Sequence, residues 1–349
     1  MSNKITYTTR LPEYSSASFS KLFKERERFV FKKSNVKILH NVFLSNSGVL
    51  LKNGLIPFNS LENLIGFEDH TFYFKHLRKA VEQYVVCKYG KSLHSLHLDD
   101  ANLYFSIHTA WFGYFSWVTT YLPRLLEFVE IQKDAILIYP EEWDEYSFIK
   151  ETFLFFPQLK IKRIPLDHHL FIKNYLLIPC RKWTSHFHKS TILGVRDFFE
   201  RHYIESNKQK YRSIYISRIH AKRRKIDNEN QINDLMAQYN INAIVMEDYS
   251  YLDQIFLMQH AHVVIGIHGA GLTNINYMKP NGYVIEFSPI LENFKNFRYP
   301  FWRMASMLDL HYYCIFCKKN MSTVDEYDSN IAVPVAELSD VLEMIFVEA

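Results

Sequence analysis

Short apolar runs rich in β-branched residues alternate along this chain with longer segments whose apolar positions recur every three or four residues. The first pattern predicts buried strands and the second amphipathic helices. In the second half, Ser213 to Ser217, Ile241 to Met246, Val263 to Ile267, Tyr283 to Phe287 and Tyr312 to Cys317 read as strands. Val195 to Ile204, Asn228 to Tyr239, Ser250 to His260, Trp302 to Leu308 and Val335 to Phe346 read as helices. Asp227 or Asn228 is placed to cap the second of these helices. Ser250 is placed to cap the third, with Asp253 in its first turn.

The first half is less regular. Its opening, to about residue 100, is loop-rich and shows no clear period. Ala101 to Glu130 reads as a helix interrupted at Pro123. Ala135 to Tyr139 reads as a strand closed by Pro140, Phe148 to Phe156 as a helix, and Ile161 to Ile164 and Tyr175 to Ile178 as strands. This alternation predicts an α/β fold with parallel sheets, and a doubly wound sheet in the second half. The polar, His- and Lys-rich stretch from Arg181 to Thr191 is the expected boundary. It divides the chain into residues 1–185 and 186–349, with the last helix free to cross back. In a doubly wound sheet, ligands lie beyond the carboxyl ends of the strands. Those ends carry Ser217 and Arg218, Glu247 and Asp248, Ile267 and His268, and Glu286.

A length of 349 residues with 48% hydrophobic content suffices for two cores. A net charge of +4 is too mild to predict nucleic-acid binding. It permits acidic small-molecule substrates or weak contact with an anionic membrane surface. Met1 to Ser16 lacks the apolar core of a signal peptide. The longest uncharged run, Ala101 to Pro123, carries Asn102, Ser106, His108 and several threonines, so it reads as a buried or interfacial helix. Cys87, Cys180, Cys314 and Cys317 form no disulfide framework, which fits a reducing cytoplasm. Cys314 and Cys317 have no second Cys/His pair nearby to complete a zinc site. Asp167-His168-His169 would point to opposite faces of an extended chain, so no metal is expected there. Asp99 and Asp100 read as helix caps.

Glycine is scarce, 10 residues in all, yet Gly266, Gly269 and Gly271 fall within one turn between a strand and a predicted helix start. Such a turn exposes backbone N–H groups and lets a phosphate approach the main chain. Arg218, Lys222, Arg223, Arg224 and Lys225 crowd the loop after the Ser213 strand. Guanidinium forks match phosphate oxygens, and Arg218 and Arg224 are the expected diphosphate ligands. His268, inside the turn, is suited to phosphate binding or to proton transfer near neutral pH. Glu286, at a strand end, is suited to ribose hydroxyls.

Ile214-Tyr215-Ile216-Ser217-Arg218, Arg224, Asn228-Glu229, Gln254, Gly266-Ile267-His268-Gly269-Ala270-Gly271-Leu272-Thr273-Asn274 and Glu286 together resemble glycosyltransferase family 61. The match spans about residues 185 to 315. A weaker one covers Gly113-Tyr114-Phe115-Ser116-Trp117 and Leu122-Pro123-Arg124-Leu125, where the family has Asn-Tyr-x-His-Trp and Leu-Pro-Arg-Leu. Here the family's His falls on Ser116 and its acidic residue on Thr120.

The resemblance implies a GT-B-like fold, with two Rossmann-like domains facing an inter-domain cleft. It implies an inverting, metal-independent glycosyltransferase with no cofactor, which uses a UDP-sugar donor. The acceptor would be a glycan or lipid-linked saccharide, and the setting bacterial capsule or lipopolysaccharide synthesis. By the same analogy the protein would be cytoplasmic, with peripheral contact at the inner face of the membrane; the rest of the second half is not notably basic, so no nucleic-acid partner is expected. Donor binding falls to Ser217, Arg218, Arg224, Gly266, His268, Gly269, Ala270, Gly271, Leu272, Thr273, Asn274 and Glu286. Candidate catalytic residues are His268, Asp100 and His108. The departures at Ser116 and Thr120 keep an inactive nucleotide-sugar-binding protein as the alternative. A different group transferase of GT-B type, such as a polysaccharide pyruvyltransferase, is another.

Overall fold

The computed structural model describes residues 4–16, 19–32, 35–55, 70–90, 92–109, 112–131, 134–180, 182–183, 186–202, 204–293, 298–320 and 326–346. It is a mixed α/β chain that divides into two units. One comprises Met1–Lys4 and Lys32–Gly194, and the other Ile5–Phe31 and Val195–Ala349.

The second unit is built on a sheet whose central strands are apolar on both faces. Val263–Ile267 is buried at every position, as a strand covered on both sides must be. Across the sheet the strands run Asn242–Ile244, Ser213–Ile216, Val263–Ile267, Tyr283–Pro289, His311–Lys319 and Ile331–Ala332. The first five are parallel and the last is an antiparallel edge. The chain order across the five parallel strands is therefore second, first, third, fourth, fifth. That order reverses direction between the Ser213 and Val263 strands, and a doubly wound sheet opens its ligand crevice there. Helices Glu229–Gln238 and Val335–Phe346 cover one face through Ile232, Leu235, Met236, Leu338, Val341 and Leu342, packed on Tyr215, Ile265, Ile285 and Ile315.

The amino-terminal segment is more structured than its pattern suggests. Tyr14–Ser15 pairs with the His311 strand, Tyr14 donates to Glu337 at 2.9 Å, and Trp302 donates to the Arg10 carbonyl at 2.7 Å. Ser250 caps helix Tyr251–His260 as expected, accepting from the Asp253 N–H at 3.1 Å. Asn228 does not cap its helix through its side chain. Its amide instead brackets the Val333 backbone, donating to the carbonyl and accepting from the N–H.

The first unit holds a mixed sheet ordered Leu50–Lys52, Lys37–Leu44, His169–Leu177, Leu103–Ser106, Ile136–Pro140 and Ile161–Ile164, with Ser95–His97 also paired to the His169 strand. Only part of it has the expected parallel arrangement, because Lys37–Leu44 and Leu50–Lys52 join antiparallel. The helix expected from Ala101 begins instead at Tyr114. Asp99 starts a turn, accepting from the Ala101 N–H and the Asn102 amide, and the aromatic run Leu103–Ser106 then extends as a strand. Asp99 and Asp100 therefore cap no helix. Ala110 and Trp111, within the expected helix, lie outside the described residues. Trp117–Tyr121 is a π turn that ends immediately before helix Leu122–Ile131. The widened turn accommodates Pro123, which has no N–H to give the preceding turn. Among the described residues, no helix is long and apolar enough to cross a membrane.

His108 sits in this interior, 9% exposed, with Nδ1 2.6 Å from the Ser106 hydroxyl. Burial is the main cause that lowers its pKa to about 4, with the nearby Arg124 charge acting the same way. The unfolded chain therefore takes up a proton near pH 6.5 that the folded chain refuses until about pH 4. Stability from this residue is present above pH 6.5 and falls as pH drops towards 4, by roughly 3 kcal/mol in all. Denaturant titrations from pH 7 to 4 should show that loss, and His108→Gln should flatten it.

Candidate functional site

The switch point of the second sheet brings together the loop after Ile216 and the turn after Ile267. The glycines of that turn have separate physical reasons. A Cβ on Gly266 would lie 3.3 Å from the Leu272 side chain, and one on Gly271 would lie 3.2 Å from Ile216. Both positions let the turn pack down on the sheet. Gly269 is extended, so its conformation does not require glycine, and its absent Cβ would lie 3.4 Å from Arg224 Nη1. The bare backbone there faces a guanidinium. The segment that follows, Ala270–Tyr277, is a 3₁₀ helix and not the α-helix start its sequence suggests. Ala270 is exposed and Gly271 half-buried, while Leu272 to Tyr277 are buried.

The residues singled out by sequence meet in pairs. Ser217 donates to Glu229 at 2.8 Å, and Tyr215 donates to the same oxygen at 3.2 Å. Asn274 donates to Gln254 at 3.0 Å, and Gln254 in turn donates to the Met246 carbonyl at 2.9 Å. His268 Nδ1 lies 2.5 Å from Glu286 Oε1. Each pair ties a loop at the carboxyl end of one strand to a neighbouring element, so the rim is fixed before any ligand arrives. Beneath the rim, Thr273 Oγ1 and both polar ends of Asn276 are buried with no hydrogen-bond partner.

Arg224 adopts a left-handed backbone conformation, φ 58°. This curls the basic loop back so that its Nε and Nη2 both donate to Asp328 Oδ1, at 3.0 and 2.8 Å. Arg223 also pairs with Asp328. Arg218 donates to the backbone carbonyls of Arg224 and Arg223, each at 3.2 Å. Its pKa is lowered mainly by partial burial and next by the adjacent Arg224 charge, with Glu247 opposing both. Asp328 thus already pairs with two of the loop's guanidinium groups, while the third, on Arg218, is held by the loop backbone.

Glu286 is 1% exposed and is not open at the rim. Its second oxygen accepts from Tyr312 at 2.6 Å. Burial, and then the nearby Cys314 and Glu286, raise the Tyr312 pKa well above its usual value, so the phenol stays a donor. A carboxylate that accepts on both oxygens takes its hydrogen bond from His268 Nδ1–H, and in the neutral form of the ring that tautomer leaves Nε2 as an acceptor. The imidazole is 6% exposed and flanked by the rings of Tyr327 at 4.6 Å and Phe301 at 5.2 Å.

Asp328, Tyr312, Tyr327 and Phe301 were not among the sequence candidates. Tyr312 was within reach of a register argument, because Cys314 pairs with Glu286 and puts Tyr312 on the same face. Asp328 had no signal, since its partners lie more than a hundred positions earlier.

The remaining catalytic candidates lie in the first unit. Asp100 is exposed and pairs with Lys173 at 3.1 Å, and His108 is interior. Ser116 and Thr120 stand one turn apart at the π segment, Ser116 half-buried and Thr120 buried. Nearby, Arg124 is 2% exposed and spends its fork on three backbone carbonyls: Ile178 at 3.0 Å, Ile107 at 2.8 Å and Ser106 at 3.0 Å.

Compared with known proteins, residues 114–285 match the sequence model described as Glycosyltransferase 61. No curated protein matches the chain.

Proposed function

The chain belongs to the glycosyltransferase 61 family through residues 114–285, and from that premise we propose that it transfers a sugar from a UDP-sugar to a glycan or lipid-linked acceptor, with inversion and without a metal. The observation that carries this reading is Arg224 Nη1 beside the Cβ-free backbone of Gly269 at the sheet's switch point. A diphosphate bound at this rim would meet a guanidinium and the backbone N–H groups of the turn. In the proposed reaction the acceptor oxygen attacks the sugar C1 while the bond from C1 to the phosphate oxygen breaks. The acceptor proton passes to His268 Nε2, held by Glu286 behind it. The charge arriving on UDP falls to Arg218 and Arg224, fixed cations in the place a divalent ion would otherwise fill. Ser217, Ala270 and Gly271 line the donor side, with the buried Leu272, Thr273 and Asn274 holding the turn in shape.

Two units with separate sheets support a GT-B arrangement, with the acceptor bound by the first. The bacterial polysaccharide setting, in capsule or lipopolysaccharide assembly at the cytoplasmic face of the membrane, follows from the family resemblance. A second reading, a nucleotide-sugar-binding protein without turnover, is favoured by one observation: Ser116 and Thr120 supply neither an imidazole nor a carboxylate where the family has them.

Incubation of the purified protein with a panel of UDP-sugars in EDTA separates the two. Release of UDP in the presence of the chelator is expected. Tight UDP binding with no release from any donor, with or without an acceptor, would favour the second reading.

A further inference from the structure

We propose that the first unit carries a transition-metal site, formed by His94, Asp167 and His168, separate from the nucleotide site. An extended chain through Asp167 and His168 would turn the two side chains to opposite faces and hold no metal. The chain is not extended: the His168 N–H donates to the Pro165 carbonyl at 3.0 Å, closing a turn, and the strand starts only at His169. The turn lets neighbouring side chains share a side. His169 leaves the group, its Nδ1 accepting from the Asn46 N–H at 3.0 Å. The third member comes from the adjacent segment, brought alongside where the His169 N–H donates to the His94 carbonyl at 2.8 Å.

Asp167 lies between the two imidazoles, Oδ2 2.9 Å from His94 Nδ1 and Oδ1 2.6 Å from His168 Nδ1. One ligand atom from each residue falls within 4.8 Å of the other two. A tetrahedral zinc ion needs its ligand atoms about 3.3 Å apart, with metal–nitrogen distances near 2.0–2.1 Å. Small rotations of these side chains open the hydrogen-bonded distances to that spacing. Two imidazoles and one carboxylate suit zinc, cobalt(II) or nickel(II) and suit magnesium or calcium poorly. On binding, each ring coordinates through Nδ1 and carries its proton on Nε2, so a neutral imidazole changes tautomer through solvent and an imidazolium gives up one proton to it, and water fills the fourth position. A cavity of about 400 Å³, lined among others by His94, Asp167, Glu82, Lys79 and Asn46, adjoins the group and leaves room for that water or for an anionic ligand on the metal.

Cobalt(II) titration of the full-length protein tests this without reference to transfer activity, so the site and the glycosyltransferase reading fail separately. One equivalent of Co²⁺ should bind with the visible absorption of a tetrahedral site, and Zn²⁺ should displace it. His94→Ala, Asp167→Ala and His168→Ala should each weaken binding by tenfold or more. His40→Ala, at an exposed histidine outside the group, should leave it unchanged. Metal-free melting temperatures of the variants confirm that they fold. Absence of stoichiometric binding, or binding that survives all three substitutions, overturns the proposal.

Discussion

Replacing His268 by alanine is expected to lower transfer by about 10²–10⁴-fold while UDP affinity stays within about twofold, the signature of a lost general base. The proposed reaction gives the imidazole this job. Its Nδ1–H is committed to Glu286, 2.5 Å away, so a neutral ring has only an acceptor left at Nε2. An acceptor cannot hold a phosphate oxygen, but it can take a proton from an acceptor hydroxyl. Glu286→Gln keeps the shape and removes the charge that favours the protonated ring. It should cost about ten- to a hundredfold in kcat, again with UDP affinity retained. Steady-state kinetics with calorimetry on both variants checks the split. A fall in UDP affinity that matches the fall in rate would move His268 to the phosphate and leave the base unassigned.

Arg124→Ala is expected to destabilise the first unit by about 3 kcal/mol or more, because it strips three buried carbonyls of their donor at once. For a unit of this size that corresponds to a melting temperature lower by about 10 °C. Arg124→Lys should recover little. One ammonium cannot reach carbonyls on two strand ends as a planar fork does, nor can it lie flat over the Phe105 ring 5.2 Å away. Scanning calorimetry of the two variants decides whether geometry or mere charge is at work; equal stability of the lysine variant and the parent would refute the fork. The arginine that the family resemblance places in Leu122-Pro123-Arg124-Leu125 thus holds the unit together by joining the helix to the ends of its strands.

The second unit was legible because its strands are buried on both faces and its helices bury one stripe. Val263–Ile267 has no polar position to obscure its edges, and Ser250 stands where a cap is needed. The amino-terminal part of the chain was less so, because long-range contacts set its form. Arg10 and Tyr14–Ser15, which belong to the second unit, gain their structure from partners near residues 300–340, which no local period reports. At Asp99 the side chain competes for the backbone and turns a helical pattern into a strand. Of the candidate site, the glycine turn and basic loop could be read from spacing and residue type. Glu286 reads from sequence as the end of a strand, but the strand runs on to Pro289 and the side chain turns inward. Its burial and its two donors depend on the register of the neighbouring strand, and those contacts make it a support for His268.

The central claim is that arginines at the switch point hold a nucleotide diphosphate without a divalent ion. Isothermal titration of UDP into the protein in EDTA, repeated with Arg224→Ala, addresses it directly. The account predicts binding in the chelator, weakened at least about tenfold by the substitution, near 1.4 kcal/mol. Binding that appears only when Mg²⁺ or Mn²⁺ is supplied, or that ignores the loss of the guanidinium, would contradict it.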